Sequence, residues 1–212
     1  MNPTTVLVFI SAAFGASLPI IAGAAVLRNL STSLLIVWGL LVFAFVFDIA
    51  IMLPYFWGYK YTWVTHFYTP VEASLLGAVF AYWIENESHR RIWLGVVALF
   101  LIIWVSLELA GFEQIESYSS SLESLILIVA SGYVVSHLSA DDRYPLTAQP
   151  RFWICCGVLL YFAGNIIHFA LSNTLYIWQL HTVLNFIANC LYARGFLCLH
   201  PRISGGLQLP VP

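Results

Sequence analysis

The chain has 212 residues, of which 61% are hydrophobic, 16% aromatic and only 8% charged, with a formal net charge of −2. A soluble domain carries roughly a quarter charged residues because it must cover its surface in water, so this composition excludes an ordinary soluble domain. The near-neutral balance also removes the basic face that nucleic-acid binding requires. The chain therefore reads as an all-α, multi-pass integral membrane protein built as one domain, residues 1–212.

A helix needs about 20 mostly apolar residues to cross a hydrocarbon core about 30 Å thick. Seven segments meet that need: 4–27, 32–53, 61–84, 92–111, 117–137, 152–171 and 175–199. The first could be taken for a signal peptide because Ala22-Gly23-Ala24 resembles a cleavage site. Its leading residues carry no positive side chain and its apolar run is too long, so a retained helix is expected. It holds no charge and is expected to be peripheral or purely packing.

The second segment carries Asp48 in its last third. The third carries His66 near its start and Glu72 near its midplane, and the fourth carries Glu108 near its end. The fifth is the least apolar, opening Ser117-Tyr-Ser-Ser-Ser-Leu-Glu123, with Glu116, Ser120 and Glu123 on one face. The sixth places Asn165 and His168 on one face by their spacing of three. The seventh sets His181, Asn185 and Asn189 at successive spacings of four, with Gln179 ahead of them.

Lysine and arginine fix orientation, because they stay on the cytoplasmic side. Arg28, Arg90, Arg91, Arg143, Arg151, Arg194 and Arg202 fall in alternate connections or at the C-terminal end, and Lys60, the one lysine, falls on the other side. The N-terminus is expected outside and the C-terminus inside. Tyr55, Trp57, Tyr59, Tyr61, Trp63, Tyr176 and Trp178 would belt the outer interface, and Trp83, Trp93 and Trp153 the inner one. The arginine-rich, lysine-poor usage suggests a GC-rich bacterial host, hence the bacterial cytoplasmic (inner) membrane. Cys155, Cys156, Cys190 and Cys198 lie in the inner halves of helices, where the compartment is reducing, and are expected to be small, buried and inert.

The third and seventh segments open alike, Tyr61-x-Trp63-x-x-His66 against Tyr176-x-Trp178-x-x-His181. Ala73 and Leu76 meet Ala188 and Leu191 at the same offset, and Gly39-Leu-Leu in the second segment meets Gly157-Val-Leu in the sixth. This pattern suggests helices 1–3 and 5–7 as parallel repeats joined by an inverting helix 4, an arrangement of transporters that bind at the repeat interface. Belts of aromatics recur in any membrane protein, but belts do not account for the paired histidines.

Ionisable groups at membrane depth are costly and default to function. Asp48, Glu72 and Glu123 have no lysine or arginine at their depth. They are left with a proton, a bound cation or a metal. Most of the polar set lies toward the outer half, which implies a pocket entered from outside. Glu85, Glu87, His89, His137, Asp141 and Asp142 sit in inner loops or helix ends and read as solvated. Asn165, Asn185 and Asn189 can equally be interhelical glue.

A retinal cofactor needs a lysine in the last helix, and there is none. The membrane hydrolases of the ceramidase and progestin-receptor group carry HxxxH in the last helix, where this chain reads His181-Thr-Val-Leu-Asn185. Sugar and nucleoside carriers with 3+1+3 repeats match in helix count and orientation, but the Pro-Gln pair of some of them is replaced by Pro70-Val-Glu72. The segments Tyr68-Thr-Pro-Val-Glu72, Ser121-Leu-Glu-Ser124 and Tyr161-Phe-Ala-Gly-Asn165 resemble a group of uncharacterised small bacterial seven-helix membrane proteins. That resemblance implies the fold and no chemistry. Some similar segments precede signalling kinase domains. Residues 200–212 hold no such domain, so signalling would need a separate partner.

Three functions follow as expectations. The first is a carrier or sensor in the lipid bilayer that binds a small polar or cationic ligand through Asp48, Glu72, Glu123, Asn165 and Asn185. The second is a membrane-embedded metal enzyme acting on a lipid or outer-leaflet substrate. Zinc or iron would be held there by His66, His168, His181 and Asp48, with Glu72 or Glu123 as catalytic base. Three histidines on three helices need the fold to bring them together, because no HxxxH or HExxH pair fixes two ligands on one helix. The third is a structural subunit of a larger membrane complex.

Overall fold

The structure is a computed structural model. It describes the backbone of residues 3–56, 62–111, 115–139, 145–171 and 178–199, and the side chains of 14–50, 67–111, 118–139, 145–168 and 180–199. Among the described residues there are seven α-helices and no strand: α1 (Pro3–Ala25), α2 (Thr32–Phe56), α3 (Thr62–Trp83), α4 (Glu87–Leu109), α5 (Ile115–Ser139), α6 (Pro150–Leu171) and α7 (Trp178–Leu197). Four of them contain stretches long and apolar enough to cross a membrane: Thr32–Ala50, Glu87–Leu109, Tyr118–Ser139 and Pro150–His168. In α1 the described apolar stretch is the shorter Phe14–Ala25. These helices fit a multi-pass membrane protein.

Such apolar runs form helices because lipid offers the backbone no hydrogen bonds, so each segment must satisfy its own N–H and C=O groups. The serine-rich α5 obeys the same requirement through its side chains. Ser124 Oγ donates to Ser120 O at 2.6 Å and Ser131 Oγ to Leu127 O at 2.8 Å, and neither serine is exposed. The fourth helix begins five residues before the expected 92, for a local reason. Asn86 Oδ1 accepts from Ser88 N at 2.9 Å and His89 N at 3.2 Å, capping the first turn. Glu87 then pairs with Arg90 at 3.8 Å and Arg91 at 3.2 Å, three and four residues on. At its other end Gly111 adopts φ +65°, the left-handed conformation that closes helices.

Helix α1 packs against α2 and α7, α2 against α3, α3 against α5, α5 against α6, and α6 against α7. The order α1–α2–α3–α5–α6–α7 thus closes into a ring, and α4 lies outside it against α3 and α5. The helix outside the ring is α4, while helix 1, expected to be peripheral or purely packing, packs within the ring against α2 and α7. Only Trp93, Phe100 and Trp104 of α4 are buried, a narrow stripe at coiled-coil spacing. Ile92, Leu99, Ile102 and Leu109 stand uncovered on its other faces, as a lipid-facing helix requires.

Tryptophan indoles tie neighbouring helices together. Trp38 Nε1 donates to Ile20 O at 3.0 Å, Trp83 Nε1 to Ser33 Oγ at 3.0 Å, and Trp93 Nε1 to Gly77 O at 2.8 Å. Trp83 and Trp93, expected in an interfacial belt, are instead 5% and 8% exposed, with Phe80 edge-on to both. A buried indole N–H needs an acceptor, and the facing helix supplies it. Gly77 permits that approach, since a Cβ there would meet Val97 of α4 at 3.0 Å. Trp93→Phe is expected to loosen α4 and lower stability by about 0.5–1.5 kcal/mol, the net worth of one hydrogen bond, read as a lower thermal midpoint in detergent.

The four cysteines are free. Cys155 and Cys198 are buried, but Cys190 is exposed, against the expectation that all would be covered. The outer-belt side chains of Tyr55, Trp57, Tyr59, Tyr61, Trp63, Tyr176 and Trp178, together with Lys60, lie outside the described residues. So do the paired openings of α3 and α7 on which the repeat partly rests, apart from His181.

Candidate functional site

Inside the ring is a cavity of about 380 Å³. It occupies the half of the bundle where α2 and α6 end and where α3, α5 and α7 begin. Its polar wall is Asp48 of α2, Tyr68 and Glu72 of α3, Ser120 and Glu123 of α5, Asn165 and His168 of α6, and His181, Asn185 and Asn189 of α7. Val37, Leu40, Leu76, Val158 and Tyr192 form the deeper, largely apolar floor, and Ala16 brings α1 to the wall. Below the floor the core is closed by Phe80, Trp83, Ile154 and Phe196.

The carboxyls differ in their surroundings. Asp48 lines the cavity but is the most solvent-exposed of its three carboxyl residues. Glu72 is 8% exposed and accepts from Tyr68 Oη at 3.1 Å, one turn earlier on the same helix. Pro70 lies between them and removes one N–H from the helix ladder beside the carboxyl. The Tyr68 ring is held in turn by Phe43, stacked at 6.2 Å, and Phe47 at 5.2 Å. Glu123 is 3% exposed, and its Oε1 is buried with no hydrogen-bond partner. Asp48, Glu72 and Glu123 reach the same cavity from three different helices. Among the described residues, no lysine or arginine lines the cavity.

The opposite wall is built from α6 and α7. Gly164 lets them meet, since a Cβ there would come within 2.9 Å of Leu184. The His168 and His181 rings lie 5.2 Å apart, and Tyr161 lies 6.2 Å from His181. Asn189 Nδ2 donates to Asn185 Oδ1 at 2.9 Å and to Asn185 O at 3.0 Å. That bond runs within α7, so these two asparagines brace one helix rather than link two.

Of the residues singled out in the sequence, Asp48, Glu72, Glu123, Asn165, His168, His181 and Asn185 all line this cavity. The side chains of His66, Glu116 and Gln179 lie outside the described residues. Glu108 is exposed near the end of α4, outside the ring. Among the described residues no three of His, Cys, Asp or Glu converge closely enough to hold a metal ion. The sequence-based site omitted Tyr68, Tyr161 and Tyr192. The first was legible from its spacing of four to Glu72, while Tyr161 and Tyr192 needed the packing of α6 on α7 to place them.

Comparison with protein-family models, curated proteins and solved structures finds no match to this chain.

Proposed function

We propose that the chain is a seven-span membrane protein, N-terminus outside and cytoplasmic at its C-terminus, that binds a small polar or cationic solute in the acidic cavity, as a carrier or a sensor. The observation that carries this is a cavity lined by Asp48, Glu72 and Glu123 with no lysine or arginine among the described residues of its walls. Removing ionised carboxylates from water is costly unless an opposite charge accompanies them, and a cation seated between them offsets both desolvation and mutual repulsion. By the arginine bias of the opposite connections, the cavity opens to the outside.

The ring order supports a carrier over a sensor. Matching helices 1–3 to 5–7 by order pairs the contact of α1 with α2 to α5 with α6, α2 with α3 to α6 with α7, and α3 with α5 to α7 with α1. A 3+1+3 parallel repeat with α4 as the external linker is compatible with this cyclic order. The test is saturable, cation-dependent stabilisation of the purified protein in detergent, using sodium, potassium, magnesium and simple organic ammonium chlorides as probes. Loss of that response in Glu72→Gln supports the site. A wild-type protein indifferent to every cation overturns it.

A membrane-embedded metal enzyme is the second reading, and the adjacency of the His168 and His181 rings at 5.2 Å favours it. About one zinc or iron per chain is then expected in protein purified without chelator or affinity-metal tag. It should be lost in His66→Ala, His168→Ala and His181→Ala alike. Elemental mass spectrometry decides, and absence of metal in the wild type removes this reading.

A further inference from the structure

The shape and chemistry of the cavity also restrict the kind of cation it takes, an inference that rests on the acidic cation site proposed above. At about 380 Å³ it falls in the size range of sites for small organic molecules, far beyond the coordination shell of a monatomic ion. Among the described residues its carboxyls do not converge on a point with other ligating side chains, so they form an acidic wall instead of a coordination sphere. Phe47, Tyr68, Tyr161 and Tyr192 also line it, and aromatic faces attract organic cations.

The deepest constraint is Glu123. Its Oε1 is buried, has no hydrogen-bond partner among the described residues and belongs to a residue of the cavity wall. A buried acceptor left unsatisfied is costly, and a charge-assisted N–H donor is the strongest partner it can gain. A quaternary ammonium has the charge but no N–H to give. A neutral alcohol has the donor but leaves the carboxyls uncompensated.

We propose that the ligand is a protonated organic amine bearing at least one N–H and an apolar body. Its nitrogen sits between Glu72 and Glu123, whose buried Oε1 turns toward the cavity to accept from it, and its body lies along the aromatic side chains of α2, α3 and α6. Amines of this class are compact enough for the cavity and match its two-sided chemistry of acid and ring.

Binding to the full chain in lipid nanodiscs tests this, with phenethylamine, its N,N,N-trimethyl derivative, 2-phenylethanol and magnesium chloride as probes in isothermal titration. Phenethylamine is expected to bind at least tenfold more tightly than the trimethyl compound, and 2-phenylethanol not measurably. In Glu123→Gln the preference for the N–H-bearing amine should collapse to within about threefold, a ratio unaffected by a uniform loss of folded protein. Equal or tighter binding of the trimethyl compound overturns the inference. Binding of magnesium alone, sensitive to Glu72→Gln, also overturns it while leaving the acidic cation site standing. If no probe binds the wild type, both fall.

Discussion

Glu123→Met is expected to make the empty protein more stable while removing its ability to bind a cation. The side chain is 3% exposed and its Oε1 has no partner. An unsatisfied buried polar atom costs about 1–3 kcal/mol, and an apolar group of similar shape recovers part of it. Methionine keeps the length and adapts its rotamers to the void beside Ala73, Val97 and Phe100. The thermal midpoint in detergent should rise, and ligand affinity should fall by at least tenfold, about 1.4 kcal/mol. Such a trade of stability for function is what a binding residue shows and a packing residue does not. A lowered midpoint with intact binding would assign Glu123 to the fold alone.

Gly157→Ala is expected to be the most damaging small substitution near the site. A Cβ at Gly157 of α6 would fall on the ring of Tyr192, with Cδ1 at 2.6 Å and Cζ at 3.0 Å. Tyr192 is 9% exposed and forms part of the cavity floor, so it must swing into the cavity or force α6 away from α7. Overpacking of this kind costs about 1–3 kcal/mol. Lower thermal stability and weaker ligand binding should appear together. Tyr192→Leu in the same chain should relieve the clash, with a coupling of about 1 kcal/mol or more in a double-mutant cycle, because the two residues touch. Additive losses would mean that the helices accommodate the methyl group without moving the ring.

The Trp83 and Trp93 indoles show where pattern and packing part. Both sit near the ends of apolar segments, where tryptophan usually anchors at the membrane surface. Position along the helix suggested the belt, but their rotation about the helix axis turns them into the interior, where Ser33 and Gly77 O accept their N–H groups. The asparagines of α7 carry the same lesson. Their spacing of four put them on one stripe, and only the coordinates show Asn189 bonded to Asn185 within its own helix.

Helix number and approximate bounds were legible in the sequence, because unbroken apolar runs in lipid must close their own hydrogen bonds and have one way to do so. The identity of the costly residues was legible too. Asp48, Glu72 and Glu123 stood out simply because nothing of opposite charge lies at their depth. What the tertiary structure decided is which faces meet: that six helices close a ring with α4 outside, that α1 belongs to the wall, and that Tyr68, Tyr161 and Tyr192 join the carboxyls around one cavity. Helices that are apolar on nearly every side carry little rotational information in their sequence. Their orientation is set by side-chain fit at the crossings, where Gly77, Gly157 and Gly164 admit the bulk of a neighbouring helix.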